Sequence, residues 1–168
     1  MKLPRILARP IAAAPPHPSV QLVSDLAARL EASARRRLGR GLALRHIGTG
    51  GCDGCALELI AARSLVHELD SLGLRFVDSP RHADALLVSG PVTRNMREAL
   101  EQARAAMPEP GFVVALGDCA MDGGVFKGSY AVEGGVEAVM PPDLRIPGCP
   151  PNPRQVLEGL LALMEAQA

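Results

Sequence analysis

Four cysteines, at positions 52, 55, 119 and 149, are the residues of this 168-residue chain whose type and spacing can do chemistry. Two of them close the run Gly48-Thr49-Gly50-Gly51-Cys52-Asp53-Gly54-Cys55. Thiols separated by two residues in such a turn can both reach one metal centre. The glycines let the backbone bend sharply and bring its N–H groups close to whatever the thiols hold. Cys119 follows Gly117-Asp118, and Cys149 sits in Pro147-Gly148-Cys149-Pro150-Pro151. A structural cysteine is usually a small buried hydrophobe; four cysteines in Gly/Pro loops, none at a core position of a strand or helix, read instead as ligands.

Four thiolates suit zinc or an iron–sulfur cluster. Structural zinc usually takes two short-spaced pairs, whereas Cys119 and Cys149 are thirty positions apart. A cubane cluster spreads its ligands over a larger volume, and Cys149-Pro150 matches the Cys-Pro of ferredoxin-type ligation. Spacing therefore favours a cluster and leaves zinc open. Nothing at the N-terminus resembles a signal peptide, and no apolar run is long enough to span a bilayer. The chain reads as cytoplasmic, where disulfides are rare.

The elements that must position these thiols alternate. Leu42 to Ile47 reads as a first strand and Ala56 to Leu72 as a helix stopped by Gly73. Leu74 to Val77 and Ala85 to Val88 follow as strands, the latter apolar on both faces as a buried parallel strand should be. Thr93 can cap a helix over Arg94 to Met107. Phe112 to Leu116 is a fourth strand, and Leu144 to Ile146 fits a short fifth. Asn152-Pro153 opens a last helix to about Ala166, with proline at its first position. Met121 to Gly135 carries no clear pattern. The alternation predicts an α/β fold, a doubly wound parallel sheet in a single domain, with the first four strands in the order 2-1-3-4. In that order the turns carrying Cys52/Cys55 and Cys119 share the carboxyl edge, about 10 Å apart, with small Ser89-Gly90 leaving room between them.

Composition narrows the function. With three Phe, one Tyr and no Trp, a base-stacking nucleic-acid surface is disfavoured. Net charge is zero, but residues 1–45 hold nine Lys/Arg against Asp25 and Glu31, a balance of +7, and the remainder carries −7. Such asymmetry suggests a basic arm for a membrane surface or an acidic partner. Residues 1–40 read as that arm: a proline-rich start, then a helix from Ser19 to Gly39 with Val23, Leu26, Leu30 and Ala34 as its stripe. Residues 41–168 read as the metal-binding domain. The helix either packs on its own domain or docks on another subunit near lipid; the stripe does not choose.

Several segments together resemble a known family. Gly51-Cys-Asp-Gly-Cys-Ala-Leu-Glu58, Ser79-Pro-Arg-His-Ala-Asp84, Gly90-Pro-Val-Thr-Arg-Asn-Met96, Gly117-Asp-Cys-Ala-Met-Asp-Gly-Gly124 and Ile146-Pro-Gly-Cys-Pro-Pro-Asn-Pro153 are similar to the small iron–sulfur subunit of membrane-bound, energy-converting [NiFe] hydrogenases of the formate hydrogenlyase type. The same type of small iron–sulfur protein occurs in respiratory NADH–quinone oxidoreductase. The resemblance implies a flavodoxin-like fold and one [4Fe–4S] cluster bound by Cys52, Cys55, Cys119 and Cys149. It further implies electron relay between a ferredoxin-like subunit and a catalytic large subunit. The chain would then be a peripheral part of an oxidoreductase complex on the cytoplasmic face of the cell membrane, alongside membrane subunits and not catalytic alone. The respiratory branch typically has adjacent cysteines in the first motif, so Cys52-x-x-Cys55 points to the hydrogenase branch. The respiratory complex, or a hydrogenase-related complex without nickel, is the alternative. The chain lacks the twin-arginine leader and extra C-terminal cysteines of uptake hydrogenase small subunits, which implies one cluster and not three.

Other readings compete. Gly48-x-Gly50 with Asp78 after the second strand resembles a dinucleotide site, but Asp53 stands where a third glycine belongs. A zinc-stabilised interaction module explains the cysteines and none of the other segments. Glu58, one turn beyond Cys55, is either a solvated helix acid or a group near the cluster. Arg81 and Arg94 could offset cluster charge or be plain surface arginines. His46, His67 and His82 read as surface or packing residues.

Overall fold

Alternation within the strands decides the layers. The computed structural model describes residues 20–65 and 74–166. Its main sheet has five parallel strands: β1 (Ala43–Gly48), β2 (Arg75–Phe76), β3 (Ala85–Ser89), β5 (Phe112–Leu116) and β7 (Leu144–Ile146), in the order β2-β1-β3-β5-β7. Successive side chains point to opposite faces. Leu44, Ala85, Leu87, Val114, Leu116 and Ile146 therefore pack into one core, with helices α1 (Val20–Leu38), α2 (Gly54–Leu65) and α5 (Pro153–Ala166). Leu86, Val88, Val113 and Ala115 enter the other, under α3 (Arg94–Ala105) and the short α4 (Asp118–Asp122). Every residue of β3 and β5 is buried, as two-sided parallel strands require. This is the flavodoxin-like, doubly wound α/β domain that the sequence predicts, with the fifth short strand added beside the fourth in the main sheet.

Most element positions agree within two residues. β1 begins and ends one residue later than expected, and α2 begins at Gly54, so Cys55 lies in its first turn. The expected end of that helix at Leu72, and His67, lie outside the described residues. So do the proline-rich start and the Ser19 cap, and the side chain of Val23 in the stripe is not described. Leu26, Ala27, Leu30 and Ala34 are buried in the core that α5 also fills, and the Arg37 guanidinium stacks 4.8 Å from the Phe112 ring centroid. Of the two readings of the first helix, its packing follows the one on its own domain.

The pattern-free stretch 121–135 holds the end of α4, a 3-10 turn and a short strand, β6 (Val132–Gly134). β6 pairs antiparallel with β4 (Val92–Thr93), a second two-stranded sheet that hydrophobic patterning did not reveal because each strand is too short to show a period. Thr93 occupies the N-cap of α3 but makes no capping bond; its hydroxyl donates to the Thr49 carbonyl at 2.9 Å and so ties β4 to the cysteine loop.

A buried carboxylate locks the register that carries the site. Asp84, 3% exposed, accepts both Arg40 guanidinium nitrogens at 2.9 and 2.7 Å and the Ala43 amide at 2.9 Å. Such a bidentate, fully satisfied pair fixes geometry as well as charge. It holds the start of β1 against the start of β3, so both strands deliver their carboxyl ends to the same height.

Candidate metal centre

The carboxyl edge of the sheet carries one cavity lined by all four cysteines. Its walls also include Gly50, Gly51, Asp53, Gly54, Ser89, Gly90, Asp118, Gly148 and Pro150. Cys52 and Cys55 come from the β1–α2 loop and the first turn of α2, Cys119 from α4 after β5, and Cys149 from the loop after β7. All four are free thiols: Cys52 and Cys149 are exposed, Cys55 is half-buried and Cys119 is buried. The expectation that none occupies a core position of a strand or helix is corrected for Cys119, which is buried within α4, and Cys55 is half-buried within α2. Both occupy first turns, where unpaired backbone N–H groups favour a thiolate.

Each loop is placed by backbone contacts. The Thr49 amide and hydroxyl donate to the Ser89 carbonyl at 2.9 and 3.0 Å, and the hydroxyl also reaches the Gly90 carbonyl at 3.1 Å. Gly50 then crosses directly over Gly90, where a Cβ would collide with the Gly50 carbonyl oxygen. Part of the room that Ser89-Gly90 was expected to leave is thus filled by this crossing. On the other side, the Gly117 amide donates to the Ile146 carbonyl at 2.8 Å. Asp118 and Gly148 exchange two bonds, the Asp118 amide to the Gly148 carbonyl at 2.9 Å and the Gly148 amide to Asp118 Oδ1 at 2.8 Å. These bonds bring Cys119 and Cys149 together across thirty positions.

The sulfurs affect one another's protonation. Burial, then the neighbouring Cys119, Cys149 and Cys52, pushes the Cys55 thiol up to about 11. Cys119 is also raised, by burial first and by Cys149 next, against a hydrogen bond from the Val125 amide that favours its thiolate. A pocket that crowds thiolates together is unfavourable until a cation shares their charge.

Among the described residues, no three Cys, His, Asp or Glu side chains are gathered tightly enough to hold a single metal ion. Zinc requires its four sulfurs within about 2.3 Å of one point. Four free thiols ringing one cavity, with a backbone amide already donating to a sulfur, fit a larger group whose corners they would each meet. Four free thiols around one cavity are a donor set that fits an iron–sulfur cluster.

The other singled-out residues stand outside the cavity wall. Arg81 is exposed, and Arg94 pairs with Glu133 at 3.7 Å, so neither lines the site. His82 is exposed. Glu58 is half-buried on the α2 face that carries Cys55 and buried Leu59, but does not reach the wall. His46 is more than a packing residue: its Nε2 is 2.8 Å from the hydroxyl of Ser89, which does line the cavity. Period-two alternation, which puts residues 46 and 89 on one face of adjacent strands, could have signalled that pair.

Comparisons with known proteins find relatives of this chain among subunits of hydrogenase and NADH-quinone oxidoreductase complexes. The family model described as NADH ubiquinone oxidoreductase, 20 Kd subunit, matches residues 52–163. Formate hydrogenlyase subunit 7 of Escherichia coli is 37% identical over 151 residues, 88% of this chain, which spans 59% of that protein. A probable membrane-bound hydrogenase subunit of Pyrococcus furiosus is 37% identical over 78% of each chain. An NADH-quinone oxidoreductase subunit of Desulfovibrio desulfuricans is 43% identical over 66% of this chain and 60% of its own. Among solved structures, a chain of an archaeal membrane-bound sulfane sulfur reductase, a respiratory membrane complex, superposes with a TM-score of 0.66 at 28% identity, covering 82% of this chain and 74% of that one.

Proposed function

The chain belongs to the 20 Kd subunit family of NADH ubiquinone oxidoreductase, and we propose that it is the electron-transfer subunit of a membrane-bound hydrogenase-type complex, carrying one [4Fe–4S] cluster on Cys52, Cys55, Cys119 and Cys149. The observation that carries this reading is the single cavity that all four free thiols line. A cluster there supplies one-electron transfer. The protein's part is to hold four sulfurs apart on three elements, donate the Val125 amide to one of them, and keep the rest of the wall as thin Gly/Pro backbone. Cys52 and Cys149 are exposed, so a partner docked on this edge would approach the cluster closely.

The catalytic centre lies in a large subunit and the electron donor is a ferredoxin-like subunit. No described helix is long and apolar enough to cross a membrane. Attachment on the cytoplasmic face would come through the membrane subunits of the complex. The Cys52-x-x-Cys55 spacing favours the hydrogenase type over a respiratory NADH–quinone oxidoreductase. Anaerobic reconstitution tests the centre: about four irons and four sulfides per chain and a paramagnetic signal on reduction are expected. Cys149→Ala should lose or convert the cluster. Zinc without iron, or full iron content in Cys149→Ala, would overturn the assignment.

A further inference from the structure

α1 ends in Arg35, Arg36 and Arg37, beside the amino ends of the strands and so away from the cysteine cavity. Positive charge in a last turn suits the helix dipole, and most of the arginines around it are engaged. Arg29 pairs with Glu165 of α5, Arg35 with Glu31, and Arg40 with buried Asp84. Arg37 stacks on Phe112 at the start of β5. Arg36 is exposed and makes no ion pair with any described residue.

The helix dipole does not account for what lies beside these arginines. A cavity of about 350 Å³ lies between the end of α1 and α5, and its described walls are Ser33, Arg36, Arg37 and Met164. That volume falls within the range of small-molecule sites. Ser33 lies one turn before both arginines and is 3% exposed, and its hydroxyl makes no hydrogen bond to any described residue. A buried hydroxyl left without a partner is costly, and a group held in the cavity would supply one. Met164, fully buried, forms the apolar wall.

We propose that this cavity binds a phosphate monoester. Its described polar walls are two guanidinium forks and one hydroxyl, and no described acid lines it. A single fork satisfies the two oxygens of a carboxylate. Two forks and a hydroxyl match the three terminal oxygens of a phosphate monoester, whose charge of about −2 at neutral pH balances two arginines. Stacking on Phe112 holds the Arg37 fork ready. Met164 would meet the carbon part of the ester, for which the volume leaves room. A phospholipid headgroup of the phosphatidic acid type and a soluble phosphate ester present the same oxygens. The inference is independent of the cluster reading, since the two cavities share no residue and stand at opposite ends of the strands.

The test uses the full chain, with binding followed by calorimetry and by the thermal midpoint. Glycerol 3-phosphate should raise the midpoint, because a ligand that binds only the folded form stabilises it; glycerol should not. Arg36→Gln should weaken binding by about tenfold or more. Arg35→Gln removes the same charge one residue away, from a side chain outside the cavity wall, and should bind as wild type does. Ser33→Ala should weaken binding severalfold while the ligand-free midpoint stays level or rises, because no internal hydrogen bond is lost. The proposal is overturned by a midpoint that does not move, by acetate binding as tightly as glycerol 3-phosphate, or by equal weakening in Arg35→Gln and Arg36→Gln, which would mean diffuse surface charge. A lowered ligand-free midpoint in Ser33→Ala with binding intact would remove the hydroxyl from the site. Co-sedimentation with phosphatidylcholine vesicles, with and without phosphatidic acid, separates the sources. Capture that needs phosphatidic acid, is displaced by glycerol 3-phosphate and is lost in Arg36→Gln supports the headgroup. Binding of the soluble ester without capture supports a soluble ligand. Capture that survives Arg36→Gln, with no binding of the soluble ester, overturns the site.

Discussion

The two halves of the cysteine cavity are built by different means. Cys52 and Cys55 lie in eight consecutive residues that supply their own turn, and this loop is held to the sheet through Thr49 and the crossing of Gly50 over Gly90. Cys119 and Cys149 share no local sequence. They meet because β5 and β7 are paired neighbours and because Asp118 and Gly148 exchange two hydrogen bonds across the gap. The local half depends on close backbone packing and has little tolerance for added volume. The remote half depends on a polar tie and should be sensitive to loss of one acceptor. Each half can be broken without touching a cysteine.

The largest effect is expected at Gly90. Alanine there meets the Gly50 carbonyl and adopts φ +82°. Overpacking costs about 1–3 kcal/mol, and the left-handed backbone a further ~1–2 kcal/mol. Gly90→Ala should lower the denaturation midpoint sharply and abolish iron loading; a normal melt with full loading would show that the crossing is dispensable. Thr49→Val comes next, since it removes a fully buried hydroxyl that serves two carbonyls. A loss of about 1–3 kcal/mol in urea unfolding is expected.

Asp118→Ala should cost about 1–2 kcal/mol and reduce iron content, because the Gly148 amide loses its acceptor. Asp118→Asn keeps a carbonyl at that position and should restore most of the loading. Equal damage from both would mean that charge, and not the tie, is what the loop needs.

Timed alkylation of the cluster-free protein, mapped by mass spectrometry, separates the thiols within the local half. Only a thiolate reacts readily. Cys55 stays protonated until the pH nears about 11, because burial and the other thiols disfavour its charge. At pH 8 the exposed Cys52 should therefore be modified well before Cys55, with the gap closing as pH rises. Simultaneous labelling would contradict the burial of Cys55. The smallest effect is expected from Gly54→Ala: a Cβ there would sit 3.5 Å from Cys52 Sγ and 3.9 Å from Pro150, ordinary contacts at a negative-φ site. Loading within about twofold of wild type, by iron assay, is expected for this variant, in contrast to Gly90→Ala.

Much of this was legible in the chain itself. Two-sided apolar runs at Ala85–Val88 and Phe112–Leu116, glycine stops, and Pro153 opening the last helix are local signals, because backbone preference and burial act over a few residues. They gave the element order, and the strand-turn-helix position of Cys52 and Cys55 followed from it. What patterning did not reveal is set by pairing between distant segments. The β4–β6 sheet consists of strands two and three residues long, too short to carry a period. Thr93 looks like a helix cap and instead directs its hydroxyl to Thr49, because a carbonyl from another loop lies within reach. Arg81 and Arg94 follow strands on the site's edge, yet neither lines the cavity. His46 entered the surroundings of the site only through parallel register with Ser89. The residue types that can do chemistry, and the elements that carry them, were determined by the sequence alone. Which of them face one another was decided by the sheet, because strand order and register bring together side chains that no local interaction relates.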